Sequence, residues 1–230
     1  MLELKSIKKH FRYHFKKLAV LDDIDLNINR GEFIALMGKS GSGKTTLLNI
    51  IAGLLKPSSG SLSFNGRRLS RFDFLLSRYR RKNIGFVFQN FNLINYLSVL
   101  DNVTMPLKFN AQDKFNYRKL GLSILDKVGL KTKASFYPGM LSGGQLQRCA
   151  IARALINKPA LIIADEPTGN LDFETASEIL EIFKTLNKDE GITFIVVTHE
   201  KSVIDIASRI ITLENGNIKE GISEANLKNK

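Results

Sequence analysis

The sequence contains a single cysteine, Cys149, among its 230 residues, which excludes a disulfide within the chain. It also lacks long apolar runs. The longest, such as Phe33 to Met37 and Phe194 to Val197, are strand-sized and fall well short of the roughly 18 residues that a membrane-spanning helix needs. The opening residues, MLELKSIKKHF, are charged where a secretory signal would carry its apolar segment. These absences predict a cytoplasmic protein, and they make Cys149 a small buried apolar side chain on a helix rather than a reactive thiol. No internal repeat is visible. No nucleic-acid module such as a zinc finger or an aromatic-rich RNA motif is recognisable, so no specific nucleic-acid partner is expected.

Positive charge is abundant. The formal net charge is +12, with lysine and arginine dense from Lys5 to Lys17 and again from Arg67 to Lys82. A solvated basic surface and a surface facing an anionic membrane both fit this pattern. Hydrophobic content of 43% and charged content of 24% are those of an ordinary globular protein. The length suffices for one sizeable core with room for an inserted lobe.

Periodicity places the elements. Glu32 to Met37 reads as a buried strand between Gly31 and Gly38. Thr45 to Leu55 reads as a helix with Leu47, Leu48, Ile51 and Leu54 on one face, closed by Pro57 and Ser59-Gly60. Ser61 to Phe64 alternates as a short strand into the Asn65-Gly66 turn, and Ile84 to Phe88 is an apolar strand ending at Gln89. The next fifty or so residues show helical periodicity, as in Tyr117 to Val128, and suggest an inserted helical lobe. Ala160 to Ala164 and Ile192 to Val197 are strand-like, and between them Glu174 to Lys188 is amphipathic through Ile179, Leu180, Ile182, Phe183 and Leu186. Ile210 to Leu213, Asn215-Gly216 and Ile218 form a closing hairpin, and the tail after Gly221 reads as loosely ordered. Strands alternating with helices predict an α/β fold with a mostly parallel sheet, to which the first 30 residues add antiparallel strands.

Gly38-Lys39-Ser40-Gly41-Ser42-Gly43-Lys44-Thr45 fits G-x-x-x-x-G-K-[ST] in the strand–loop–helix context that the motif requires, with Thr46 following. Its glycines let consecutive N–H groups curl around phosphates; Lys44 supplies an ammonium between the β- and γ-phosphates, and the Thr45 hydroxyl a ligand for Mg²⁺. Leu161-Ile162-Ile163-Ala164-Asp165-Glu166 brings two carboxylates to the carboxyl edge of a buried strand, where α/β sheets place ligands. There Asp165 suits Mg²⁺, and Glu166 suits the water that attacks a γ-phosphate. Gln89 and His199 each follow an apolar strand in the same way, Gln89 as a Mg²⁺ or water ligand and His199 as a γ-phosphate contact. Leu141-Ser142-Gly143-Gly144-Gln145 precedes a helix whose apolar face carries Leu146, Cys149, Ala150 and Ala154. Ser142 is a good cap residue, so this segment reads equally as an ordinary capped helix and as an anion site.

Taken in order, GKSGSGKT, Gln89, LSGGQ followed by LQR, LIIADE, Gly169-Asn170-Leu171-Asp172 and His199 resemble the Walker A, Q-loop, signature, Walker B, D-loop and switch-histidine motifs of ABC-transporter nucleotide-binding subunits. The resemblance covers nearly the whole chain. FVFQNFNLI, ADEPTGNLD and VVTHE are most similar to the branch of lipoprotein-releasing (LolD) and macrolide-efflux (MacB) ATPases, with FtsE-type cell-division ATPases near by. It implies a P-loop NTPase (RecA-like) core with an N-terminal antiparallel β-subdomain and an inserted α-helical subdomain. The whole chain, 1–230, would be one ATPase domain, with 1–89 and 140–221 as nucleotide-binding core and 90–139 as helical subdomain.

The resemblance further implies ATP and Mg²⁺ as cofactors and a head-to-tail, ATP-dependent homodimer. In that dimer the phosphate loop of one chain faces Ser142, Gly143, Gly144 and Gln145 of the other, and Asp172 lies at the interface. The integral-membrane permease partner would carry a large extracytoplasmic domain and dock at about Asn90 to Pro106, holding the cassette on the cytoplasmic face of the membrane. The output would be export, lipoprotein release or mechanical transmission, or alternatively FtsE-like regulation of cell division. In place of the usual adenine-stacking tyrosine the sequence offers Phe11, with Tyr13 close by. Lys39 stands where the branch often has proline, either as a further cation near the phosphates or pointing outward.

Overall fold

Glycine and proline punctuation delimits most elements of the computed structural model, which describes residues 1–13, 16–109 and 116–221, with Tyr13 described in its backbone only. The tail read as loosely ordered lies outside the described residues. The strands β1 (Leu2–Tyr13), β2 (Lys16–Ile28) and β3 (Phe33–Met37) lead into helix α1 (Lys44–Ile51). Then come β4 (Ser59–Phe64), β5 (Arg67–Arg68), α2 (Asp73–Asn83) and β6 (Ile84–Phe88). The middle holds α3 (Val99–Thr104), α4 (Tyr117–Lys127) and α5 (Gly143–Leu155). The chain closes with β7 (Leu161–Asp165), α6 (Phe173–Glu190), β8 (Thr193–Val197), α7 (Lys201–Ile206), β9 (Arg209–Glu214) and β10 (Asn217–Gly221).

Two compact units result, Met1–Arg80 with the chain from Ile195 on, and Arg81–Phe194. In the first, β1 pairs antiparallel with both β2 and β4, giving the order β2-β1-β4-β5. These are the antiparallel strands expected of the first 30 residues. Ile24, Leu26 and Ile28 alternate with exposed neighbours on β2, a period of two that fixes the register, and an irregularity at Asp23 (φ 56°) shifts it by one residue to keep Leu21 buried as well. The same unit holds the order β10-β9-β3, continued by residues Ile195–Val197 of β8. Strand β3 runs parallel to β9, and β9 turns back antiparallel into β10 at Asn215-Gly216, as the hairpin reading predicts.

Helix α1 is shorter than its apolar pattern suggests. Gly53 adopts φ 67° and donates to the Ile50 carbonyl, a left-handed stop that turns Leu54 outward to 53% exposure instead of onto the buried face. Helix α2 is unannounced by periodicity because its inner face consists of Leu76 and Tyr79 alone. Those two anchor it: the Tyr79 hydroxyl donates to the Ile51 carbonyl at 3.1 Å, and its ring meets Phe64 edge-on at 5.2 Å.

In the second unit β6 and β7 run parallel with Phe88 opposite Asp165. From 90 to 139 the described residues form helices and 3₁₀ turns without a strand, in keeping with the helical lobe. Buried Asn102 of α3 pins the preceding loop, its amide donating to the Ile94, Leu97 and Ser98 carbonyls and its oxygen accepting from Ile94 N–H. Phe183 of α6 packs on Phe194, both fully buried. No described helix is long and apolar enough to cross a membrane.

Candidate functional site

In the first unit β3 delivers the chain into the glycine-rich loop, and α1 leaves it at Lys44. Gly38 has no alternative there: a Cβ would sit 2.4 Å from the Leu213 carbonyl oxygen and 2.8 Å from Ser42 Oγ, at φ +148°. Gly43 caps α1 at φ 106°. Lys44 Nζ donates to the Gly38 and Lys39 carbonyls at 2.5 and 3.0 Å, which holds the ammonium over the loop. Ser42 Oγ is buried and has no hydrogen-bond partner among the described residues. Thr45 and Ser40 are exposed and Thr46 half-buried. Lys39 is exposed.

A cleft of about 600 Å³ lies beside the loop, lined by Leu18 to Val20, Lys39 to Ser42 and Leu213 to Gly216. Phe11, 42% exposed, pairs across the hairpin with Leu18 of that lining, and Lys9 Nζ sits 5.0 Å from its ring centroid. One ring face of Phe11 thus already carries a cation. Tyr13's side chain lies outside the described residues. His199 is exposed directly after β8, whose following residue Thr198 donates its N–H to the Leu36 carbonyl of β3 at 3.3 Å. The loop and His199 therefore follow neighbouring strands at one edge.

The second unit gathers the carboxylates. Because Phe88 faces Asp165, Gln89 and Glu166 leave adjacent strands side by side. Glu166 is held at φ 45°, an uncommon conformation for a side chain of its kind, and such strain clusters at functional positions. Gln89 Nε2 donates to Asn170 Oδ1 at 3.3 Å, and Asn170 Nδ2 returns to the Gln89 carbonyl at 3.1 Å. Asp172 caps α6, accepting from the Thr175 N–H at 2.9 Å and its hydroxyl at 2.7 Å, bonds that hold its carboxyl below the usual range.

Ser142 and Gln145 form a reciprocal capping box at the start of α5: Gln145 N–H donates to Ser142 Oγ, and Ser142 N–H donates to Gln145 Oε1. Ser142 and Gly143 are exposed. Gly144 is buried against α6, where a Cβ would meet Thr175 Cγ2 at 2.3 Å. The same unit therefore joins the LSGGQ segment to the Asp172 cap.

The pattern of an ABC transporter domain matches residues 21–169 of this chain. The chain belongs to the ABC transporter family. It is an ATP-binding cassette and an ATPase of that family. It is 45% identical, over 95% of its length, to the macrolide export ATP-binding/permease protein MacB of Syntrophobacter fumaroxidans, of which it spans 31%. The chain thus covers about a third of that relative. It is 45% identical over 97% of its length, and all of the other chain, to the uncharacterized ABC transporter ATP-binding protein MJ1508 of Methanocaldococcus jannaschii. A solved dimer of the ATP-binding cassette MJ0796 from the same organism, in a post-hydrolysis state with ADP and Pi, superposes with a TM-score of 0.88 at 42% identity, covering 97% of this chain and 99% of that one.

Within this cassette two side chains go unnoticed by motif reading. Gln147, expected on no face, is fully buried and donates to the Pro167 carbonyl at 2.5 Å, while Leu146, expected on the apolar face, is only half-buried. Helix α5 turns Gln147 inward because the carbonyl of the bend after Glu166 needs a donor. Arg153, half-buried, donates to the carbonyls of Phe91 (2.7 Å) and Asn92, two successive residues at φ 59° and 49°. The available signal was a cation on an otherwise apolar helix face. Cys149 is buried as expected, and burial pushes its thiol up to about 12.

Proposed function

We propose that this cassette hydrolyses ATP to drive a separate membrane permease, working as a head-to-tail homodimer with two ATP at its interface on the cytoplasmic face of the membrane. What supports the reading most is the agreement along nearly the whole chain with a cassette captured as a dimer with ADP and Pi. Gly38 to Thr46 form the phosphate cradle, and the buried, unpartnered Ser42 Oγ and the Lys44 ammonium are polar groups suited to phosphate oxygens. Phe11 supplies the adenine-stacking surface.

Thr45, Asp165 and Gln89 offer only oxygen donors, the hard set that Mg²⁺ takes in company with phosphates and water. Mg²⁺ there would neutralise charge on the β- and γ-phosphates. Glu166 orients the attacking water and takes its proton, and His199 donates a hydrogen bond to the γ-phosphate. The exposed Ser142 and Gly143, with Gly144, Gln145 and Asp172, serve the nucleotide held by the other protomer. Residues 1–89 and 140–221 act as the nucleotide-binding core, and 90–139 as the helical subdomain that receives the permease near Asn90 to Pro106. Kinship with a macrolide export ATP-binding/permease protein favours efflux, and we extend the proposal to mechanical transmission through a permease with a large extracytoplasmic domain.

Substituting Glu166→Gln tests the engine. ATP binding is expected to persist, turnover to fall on the order of 10²–10⁴-fold, and a dimer to accumulate in gel filtration with ATP. Near-normal hydrolysis would remove Glu166 as the base. Affinity capture from detergent-solubilised membranes identifies the permease.

A further inference from the structure

The segment from Arg67 to Arg78 combines charge and exposed aromatic surface that ATP hydrolysis does not use. Phe72 is 75% exposed, Phe74 69% and Leu75 40%, in an unbroken exposed run from Arg71 to Leu75. Arg67 and Arg68 precede this run, Arg71 opens it and Arg78 follows it, all exposed and none ion-paired among the described residues. Asp73, the one carboxylate in the segment, is neutralised by Lys56 at 2.9 Å. Leu76 and Tyr79, each 6% exposed, lock α2 in place, so the aromatics just before it and in its first turn stay in solvent.

The other basic segment differs. There Lys5 pairs with Glu3, Lys8 pairs with Asp22 and Lys9 donates to the Lys56 carbonyl, so its first three cations are already engaged. Phe72, Phe74 and Leu75 make a contiguous exposed apolar stretch beside the arginines, the kind of patch that marks an interaction site. An acidic protein partner would match the charge and the cavity of about 210 Å³ lined by Arg68, Leu69, Arg71 and Leu76, yet Phe72 and Phe74 lie outside that lining. The interface of an anionic bilayer supplies both: phosphates spread on either side for the arginines, and headgroup depth for the rings.

We propose that the Arg67–Arg78 surface docks directly on an anionic phospholipid bilayer, independently of any permease. The test is co-sedimentation of the purified full chain with vesicles of phosphatidylcholine alone or mixed with phosphatidylglycerol. Partition is expected only on the anionic vesicles, weakening with added salt. The double variants Phe72→Ser/Phe74→Ser and Arg71→Glu/Arg78→Glu should each lower it about tenfold or more, with helix content and ATP turnover in solution unchanged. Should either double variant lose helix content, the single variant Arg78→Gln serves instead, with a smaller loss expected. The proposal is overturned by absence of phosphatidylglycerol-dependent partition, by partition that all these variants leave intact, or by capture of acidic permease segments without vesicle binding.

Discussion

At the scale of single residues, backbone geometry sets what the phosphate loop tolerates. Gly38→Ala forces a Cβ onto the Leu213 carbonyl at a left-handed φ. The expected cost exceeds about 1 kcal/mol in thermal or denaturant unfolding, and ATP affinity should fall with it. Phe11→Ala should weaken nucleotide binding by about 1–3 kcal/mol in calorimetry, as loss of a stacking surface does; an unchanged dissociation constant would move that role away from Phe11. Cys149, with its thiol raised by burial, should resist thiol reagents at neutral pH in the native state and react at once on unfolding. The glycines, Lys44, Glu166 and the burial of Cys149 were legible in the sequence because residue type alone carried them. The left-handed backbone of Glu166 and the pair Phe91 and Asn92 was not, since ordinary side chains there announce nothing.

At the scale of elements, helix ends carry the consequences. The Asp172 cap of α6 holds a carboxyl whose native pKa is depressed, first by the Thr175 N–H and then by its hydroxyl. Its stabilisation is therefore complete above the unfolded value, near pH 4, and is lost as pH falls through the lower native value. Unfolding of Asp172→Ala and the parent should differ at neutral pH and converge in strong acid. Gly144→Ala overpacks α5 against Thr175, with an expected loss of about 1–3 kcal/mol. Adding Thr175→Ser removes the offending methyl yet keeps the hydroxyl that bonds Asp172, and should restore most of the loss. Buried strands such as β3, β7 and β8 were readable because continuous apolar runs leave few alternatives. The end of α1 at Gly53 and the whole of α2 were not. One depends on a single φ, the other on two anchors whose partners lie elsewhere in the chain.

At the scale of the whole molecule, the proposed cross-protomer role of LSGGQ makes one cassette only half a site. Ser142→Arg should leave binding of ATP to the phosphate loop largely intact while preventing the ATP-dependent dimer in gel filtration; retention of that dimer would contradict the cross-interface role. Within the second unit the contacts also close on themselves. Gln89 grips Asn170, the Asp172 cap holds Thr175, Thr175 abuts Gly144, and α5 runs to Arg153, which returns to Phe91 and Asn92 beside Gln89. A closed hoop is redundant. Severing it once leaves the long way round intact, so Asn170→Ala or Arg153→Lys alone should look mild, whereas the pair should cost more than the sum, with a coupling of about 0.5–3 kcal/mol in a double-mutant cycle.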